Sequence, residues 1–240
     1  MESQTKSKRV APQKDSATRS GPNVLDILTS KSLPQVVQEA ILSMILRGDF
    51  QAGDKLNEND LAVRLKVSRG PVREAFRGLE SAGLLYSTKN RGVFVREIST
   101  EEAEDLYNVR ACLEAYACRL LAPKITPQQV RELEQILDGM EPAYRRQDVE
   151  DFYPRNVHFH NRIVEMANSP KLLGLYRNVI NEVHLINRRG IAKEGGRLTN
   201  NPEHRAIVAA LKKHDGAKAE KLMSHHVITN GQRFLSSSRK

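Results

Sequence analysis

The sequence predicts a mainly α protein in two parts, three helices closed by a β-hairpin and then an all-helical antiparallel bundle. Three observations lead there. Apolar residues recur at helical spacing between Leu33 and Ala82, two short β-prone runs bracket a turn that ends at Gly92, and beyond Ile98 strand signals vanish while amphipathic helical patterning continues. A chain of 240 residues can form one large domain or two small ones, and the change of character near Ile98 favours two.

Residues 1–30 are rich in Ser, Lys, Arg and Gln, too polar to order themselves, and are expected to form a flexible basic tail. The first domain is expected over residues 31–98. Val36, Val37, Ala40, Ile41, Met44 and Ile45 mark one face of its first helix, which Gly48 ends. Asn57 or Asn59 can start the second, with Leu61, Ala62 and Leu65 inward, and Lys66 to Ser68 make a tight turn. The third runs from about Ser68 to Ala82, with Val72, Ala75, Phe76 and Leu79 buried and Gly83 as its C-terminal cap; the Ser68 hydroxyl is expected to cap it by accepting from the Gly70 N–H. Leu84 to Tyr86 and Val93 to Val95 then form a hairpin around a loop whose Asn90 and Gly92 tolerate positive φ. A linker over residues 99–103 begins with the capping sequence from Ser99 to Glu102. Five or six helices follow over residues 104–235, and residues 236–240 are read as a tail.

Helix, helix, tight turn, helix and basic hairpin, in that order, describe a winged helix-turn-helix. Arg69, Arg73 and Arg77, spaced by four, lie along the outer face of the third helix. Arginine forks there can meet guanine edges in a major groove, while a helix N-terminus offers its dipole to phosphate. From Arg64 to Arg96 eight basic residues face two acidic ones, so charge is concentrated where a groove would lie. Gly70 and Pro71 open the helix with small, preset residues suited to a closely approaching backbone.

The formal net charge of +9 suits double-stranded DNA but would also suit an anionic membrane surface, so charge alone does not choose. No stretch approaches the roughly 18 unbroken apolar residues of a membrane span, and no apolar signal core follows the N-terminal charges. A cytoplasmic protein without a membrane partner is the expectation. Cys112 and Cys118, six apart in one helix, read as free thiols rather than a redox pair. With no Trp and 5% aromatic residues, a carbohydrate cleft or a stacking platform for single strands is excluded.

All seven histidines follow residue 157. Asn156 and His160 are four apart and project from one helix face, and His204 and His226 each fall on the inward stripe of a later helix. Three imidazoles and one oxygen would suit Zn²⁺, with Ni²⁺ or Mn²⁺ as other candidates, and read alone they equally fit hydrogen-bonded core histidines. Helical phase turns His158 and His225 away from these neighbours, and both are expected at the surface. Arg110 lies on the first long helix of the bundle, with Leu106, Leu113 and Ala117 expected toward the core. A buried guanidinium wants an anion, and that anion is either a bound acid or Glu114 four residues on.

The residues from Leu56 to Ala62, from Val67 to Ala75 and from Leu79 to Leu84 resemble the GntR superfamily of bacterial regulators. The remainder resembles the FCD effector domain of its FadR subfamily, through Asp105, the run Asn108 to Glu114, Asn156 to His160, Asn168 to Pro170, Glu203 to Ile207 and Met223 to His226. The resemblance implies DNA contacts at Ser68, Arg69, Gly70, Pro71 and Arg73, with the wing tip, Arg91 and Gly92, in the minor groove. Asn59 matches a contacting position that often bears a longer basic residue in relatives. It implies metal ligands at Asn156, His160, His204 and His226, with Asn156 in place of an acid, and a small organic-acid effector bound beside the metal near Arg110. It further implies a homodimer on a palindromic operator, acting as a repressor whose affinity the effector shifts. The rival from another class is a metal-dependent hydrolase using the three histidines, which lacks an HExxH motif and an acid placed to activate water.

Overall fold

The computed structural model describes residues 31–193 and 201–238; the tail expected over residues 1–30 lies outside them. Helix α1 (Leu33–Arg47) starts where the Ser32 N–H donates to the Gln35 side chain at 2.8 Å, with Pro34 in the first turn, where no N–H is needed. It stops at Gly48, whose φ of 85° is open to glycine. Strand β1 (Lys55–Leu56) leads into α2 (Glu58–Leu65), capped by Asn57 accepting from the Asn59 N–H at 2.8 Å. Lys66, at φ 56°, turns the chain into α3 (Arg69–Ser81). Strands β2 (Leu85–Thr88) and β3 (Gly92–Val95) form the hairpin, with Leu85 opposite Val95 and Thr88 opposite Gly92. The strand β1 was not foreseen: two residues are too few to carry an alternation signal. It pairs antiparallel with β3, Leu56 opposite Val93, giving the order β1-β3-β2. Val37, Ile41, Val72, Phe76, Leu79 and Val95 are among the buried side chains of this small core.

Helix α4 (Thr100–Leu121) begins immediately, because the Ser99 hydroxyl accepts from the Glu102 N–H at 3.1 Å and Glu101 and Glu102 complement the helix dipole. Residues 99–103, expected as a linker, are therefore a cap and a first helical turn. A 3₁₀ turn (Ala122–Lys124) follows, then α5 (Pro127–Arg146), α6 (Val149–Met166), α7 (Pro170–Lys193), α8 (Asn201–Lys212) and α9 (Gly216–Ser238). The last helix takes in residues 236–238 of the expected tail; residues 239–240 lie outside the description.

Helix α4 is the axis of the bundle, packed along α9 and against α6 and α7, while α5 bridges α6 and α8. At Gly231 a side chain would meet the Tyr107 ring at 2.6 Å, so glycine is what lets α9 lie this close to α4. Leu133, Leu137, Phe159, Ile163, Ile207 and Met223 are fully buried between the layers. Leu106 and Leu113, expected inward, lie instead at the rim of this core, only partly covered.

The two parts meet on α7. Leu185 joins the buried cluster of the first domain. Arg96 donates to Glu182 at 2.5 Å and to the Gly83 carbonyl at 3.3 Å, and pairs with Glu102. This guanidinium, counted by sequence with the basic face, is turned to the helical domain because two carboxylates wait there.

Candidate functional site

Two sites stand out, one on α3 and one inside the bundle. The buried stripe of α3, Val72, Ala75, Phe76 and Leu79, leaves Arg69, Arg73 and Arg77 exposed on the other face, as the spacing predicts. Arg69 Nη1 donates to Asn59 Oδ1 at 3.1 Å, so the residues singled out on α2 and α3 are brought together. Arg73 makes a forked pair with Glu58 at 3.0 and 3.2 Å, and its hydrogen bond, outweighing the effect of burial, holds the Glu58 carboxyl below its usual range. Arg77 is occupied by Glu74 at 2.9 Å.

The expected Ser68 cap is absent: Ser68 is the N-cap residue by backbone, but its hydroxyl accepts no N–H. Pro71 occupies the third helical position and has no N–H to give, which removes one of the two usual donors and leaves the hydroxyl exposed. At Gly70 a side chain would meet nothing within 4 Å, so the fold itself does not require glycine there. Arg91 is exposed at the hairpin tip beside Gly92, whose φ is 114° and whose Cβ would meet Lys55 Cε at 2.8 Å.

Inside the bundle, His160 on α6, His204 on α8 and His226 on α9 are all buried and converge through their Nε2 atoms, 3.0 Å from His204 to His226 and 3.3 Å from His226 to His160. The outer nitrogens of two are held by carboxylates: His160 Nδ1 lies 2.6 Å from Glu114 and His226 Nδ1 lies 2.7 Å from Glu203. Carboxylates in that position orient a ligating imidazole and raise its donor strength. Neither had been assigned this role, since the pairings join residues on different helices; the one local signal was that Glu114 falls on the buried face of α4. His158 and His225 are exposed, as helical phase predicts.

The donor set fits a divalent cation. His160, His204 and His226 each offer a nitrogen, all within 4.8 Å of one another, and one turn before His160 the Asn156 Oδ1 is buried without a hydrogen-bond partner. A buried carbonyl oxygen left unpaired is costly, and coordination would satisfy it. Burial pushes the His160 imidazole down to about 4 despite Glu114, and pushes His204 down as well, so both are neutral at ordinary pH.

Arg110 resolves toward Glu114: its Nε donates to Glu114 Oε1 at 2.6 Å, both groups being buried, while the other oxygen of Glu114 faces His160. Burial alone would raise the Glu114 carboxyl, but Arg110 and His160 outweigh it and hold it at about 2. Near this pair Tyr176 donates to Asn161 at 3.0 Å, and Tyr153 lies 2.6 Å from His184 Nδ1, a polar set that sequence alone had not singled out.

Comparison with known proteins finds matches for both halves of the chain. Residues 33–95 match the model of the bacterial regulatory proteins of the gntR family, and residues 105–229 match that of the FCD domain. The transcriptional repressor RspR of Escherichia coli K12 is 30% identical over 175 residues, 73% of this chain and 77% of its own length. The gluconate operon transcriptional repressor of Bacillus licheniformis is 29% identical over 178 residues, 71% and 72% of the two chains. The solved structure of E. coli McbR/YncC has the same fold, with a TM-score of 0.75 at 23% identity over 88% of this chain and all of that one.

Proposed function

The chain belongs to the GntR family of bacterial regulatory proteins and carries an FCD domain, and from that membership we propose a homodimeric repressor of a metabolic operon, controlled by a small carboxylate or sugar acid bound beside a divalent metal. Its relatives are transcriptional regulators rather than enzymes, and the hydrolase rival finds no support among them. A relative named for a gluconate operon makes sugar acids the first effector class to test.

On DNA, α3 would enter the major groove with Arg69 and Arg73 toward base edges and Ser68, Gly70 and Pro71 against the backbone, while Arg91 and Gly92 carry the wing to the minor groove and Asn59 steadies Arg69. Arg73 exchanges Glu58 for the operator. In the bundle, Asn156, His160, His204 and His226 would hold the metal, with Zn²⁺ first and Ni²⁺ or Mn²⁺ as alternatives, and the metal would supply a Lewis-acidic position for a carboxylate. Glu114 and Glu203 fix the imidazoles, and Arg110, on the proposed effector side, keeps Glu114 ionised through its pairing with it.

The observation that carries the reading is the convergence of three buried imidazole Nε2 atoms in a domain joined to an arginine-faced helix. Metal analysis of the purified protein, with a thermal-shift screen of organic acids in the presence and absence of chelator, tests it. Stoichiometric divalent metal and a chelator-sensitive shift are expected; a metal-free protein whose melting is unchanged by His160→Ala would reduce the cluster to core packing. Asn156→Asp should tighten metal binding by restoring a charge. Operator affinity that survives Arg69→Ala and Arg73→Ala in a gel shift would remove α3 from the groove.

A further inference from the structure

We propose that Lys55 is a phosphate-binding residue of the wing, set against the DNA backbone beside the groove that the hairpin tip enters; the inference rests on the DNA-binding reading above. Lys55 precedes the recognition helix in sequence, yet strand pairing carries it to the hairpin. The Gly53 N–H donates to the Val95 carbonyl and the Val95 N–H to the Asp54 carbonyl, both at 2.9 Å, and this register sets Lys55 opposite Phe94. Tyr86 lies opposite Phe94 on the other side, so Lys55, Phe94 and Tyr86 form one row across the sheet, with the two rings stacked 5.4 Å apart. Leu56, Leu85 and Val95 fill the opposite, buried face, so the row points outward. Gly92, two residues before Phe94, shares that outward face. A Cβ at Gly92 would meet Lys55 Cε at 2.8 Å and Nζ at 3.5 Å, so the lysine runs diagonally across the glycine and delivers its ammonium to the hairpin tip.

Charge says what the ammonium is there to meet. Elsewhere in this domain Arg64 pairs with Asp49, Arg73 with Glu58, Arg77 with Glu74, and Arg96 with Glu102 and Glu182. Lys55, Lys89 and Arg91 are exposed and, among the described residues, have neither an ion pair nor a hydrogen bond. Asp54, the acid next to Lys55, directs its carboxylate to the Gln51 N–H at 2.6 Å instead. Three cations left without counter-charges at one end of a small sheet raise the local potential, and a chain of phosphates is the partner that lowers it. The other physical role for a lysine here is to guard the sheet from pairing with another chain, since β1 is an edge strand. That role asks only for a charge on β1; it does not ask for a side chain laid across Gly92 toward the tip.

Phosphate contacts carry no sequence information, so the test needs no operator. Binding of the full-length protein to a fluorescein-labelled duplex of mixed sequence, about 30 base pairs long, is followed by anisotropy across a salt series. Lys55→Gln should lower the slope of log affinity against log salt by about 1, and Lys55→Arg should keep the wild-type slope. Lys213→Gln, which removes one exposed cation from the turn after α8, should leave the slope unchanged. The wild type answers the same question without a substitution: lysine acetylation read by mass spectrometry should fall at Lys55 when the duplex is present and stay constant at Lys213. Should Lys55→Gln fail to fold, the acetylation decides. An unchanged slope in folded Lys55→Gln, an equal fall in Lys213→Gln, or acetylation of Lys55 as fast with the duplex as without it overturns the inference and leaves the DNA-binding reading standing. A wild type that binds no duplex at low salt overturns both.

Discussion

Glu114 concentrates the chemistry of the bundle in one side chain, since its two oxygens join the Arg110 guanidinium to the His160 imidazole. Glu114→Gln would leave the Arg110 charge buried without a counter-ion, a loss of about 3–5 kcal/mol when a buried pair is broken on one side. It should also weaken metal binding about 10–100-fold through the less firmly oriented His160. Chemical denaturation and a chelator-competition titration read the two effects separately, and an unchanged metal affinity would remove Glu114 from the site. A second residue sets a pH dependence. Burial foremost, with the Arg110 charge, pushes the His184 imidazole down to about 4, against about 6.5 in an unfolded chain. Between those values the unfolded chain binds the extra proton, so the stabilisation is fully present above about pH 6.5 and is lost as pH falls through about 4. The melting temperature of chelator-treated protein should therefore fall as the solution is acidified across that window. His184→Asn, which keeps an acceptor for Tyr153 but cannot take the proton, should lessen the slope, leaving the part that His160 and His204 contribute in the same window; an equally steep slope would assign the proton uptake elsewhere.

Helix α3 shows where local pattern suffices and where it does not. Its buried stripe, its arginine face and the Gly83 cap recur within one or two turns, so sequence alone determines them. The missing Ser68 cap could not be read there: Pro71 removes the N3 donor, but the expected Gly70 N–H is present and the Ser68 hydroxyl still does not accept it. The pairings of Arg73 with Glu58, Arg96 with Glu182 and His160 with Glu114 could not either, since each depends on how separate elements pack. The same limit explains the metal ligands. Their helical phase was legible, but the convergence of three nitrogens is a property of α6, α8 and α9 together. Gly70 offers a test at this scale. Alanine meets no obstacle in the fold and has the better helix propensity, so Gly70→Ala should stabilise the isolated protein by about 0.5–1 kcal/mol. If the backbone of α3 lies against DNA, the same methyl group should weaken operator binding. A variant that melts higher and binds as well as the wild type would show that the N-terminus of α3 does not approach so closely.

Among the described residues, α7 touches both domains along its length. Its side chains Tyr176 and His184 lie by the buried polar set around Glu114 and Arg110, and within the same turns Glu182 and Leu185 engage the first domain. Arg96 gathers the joint: its guanidinium reaches Glu182 on α7, Glu102 in the first turn of α4 and the carbonyl of Gly83, the residue that ends α3. Gly83 admits this arrangement because its φ of 72° suits glycine and because a Cβ there would come within 2.7 Å of the Glu182 carboxyl carbon. On the proposed function, an acid that displaced α7 at the polar set would move the end of α3 through Arg96. A ligand shifts the equilibrium only by its differential affinity for two arrangements, and couplings of this kind typically amount to about 5–150-fold in affinity. Arg96→Ala should leave metal content unchanged and unliganded operator affinity within a few-fold, since Arg96 faces away from the groove. The change in operator affinity produced by the acid with the largest thermal shift, measured by fluorescence anisotropy on labelled operator, should shrink toward none. Full retention of that change in Arg96→Ala would place the coupling in the apolar contact of Leu185 instead, and Leu185→Ala would then be the variant that loses it.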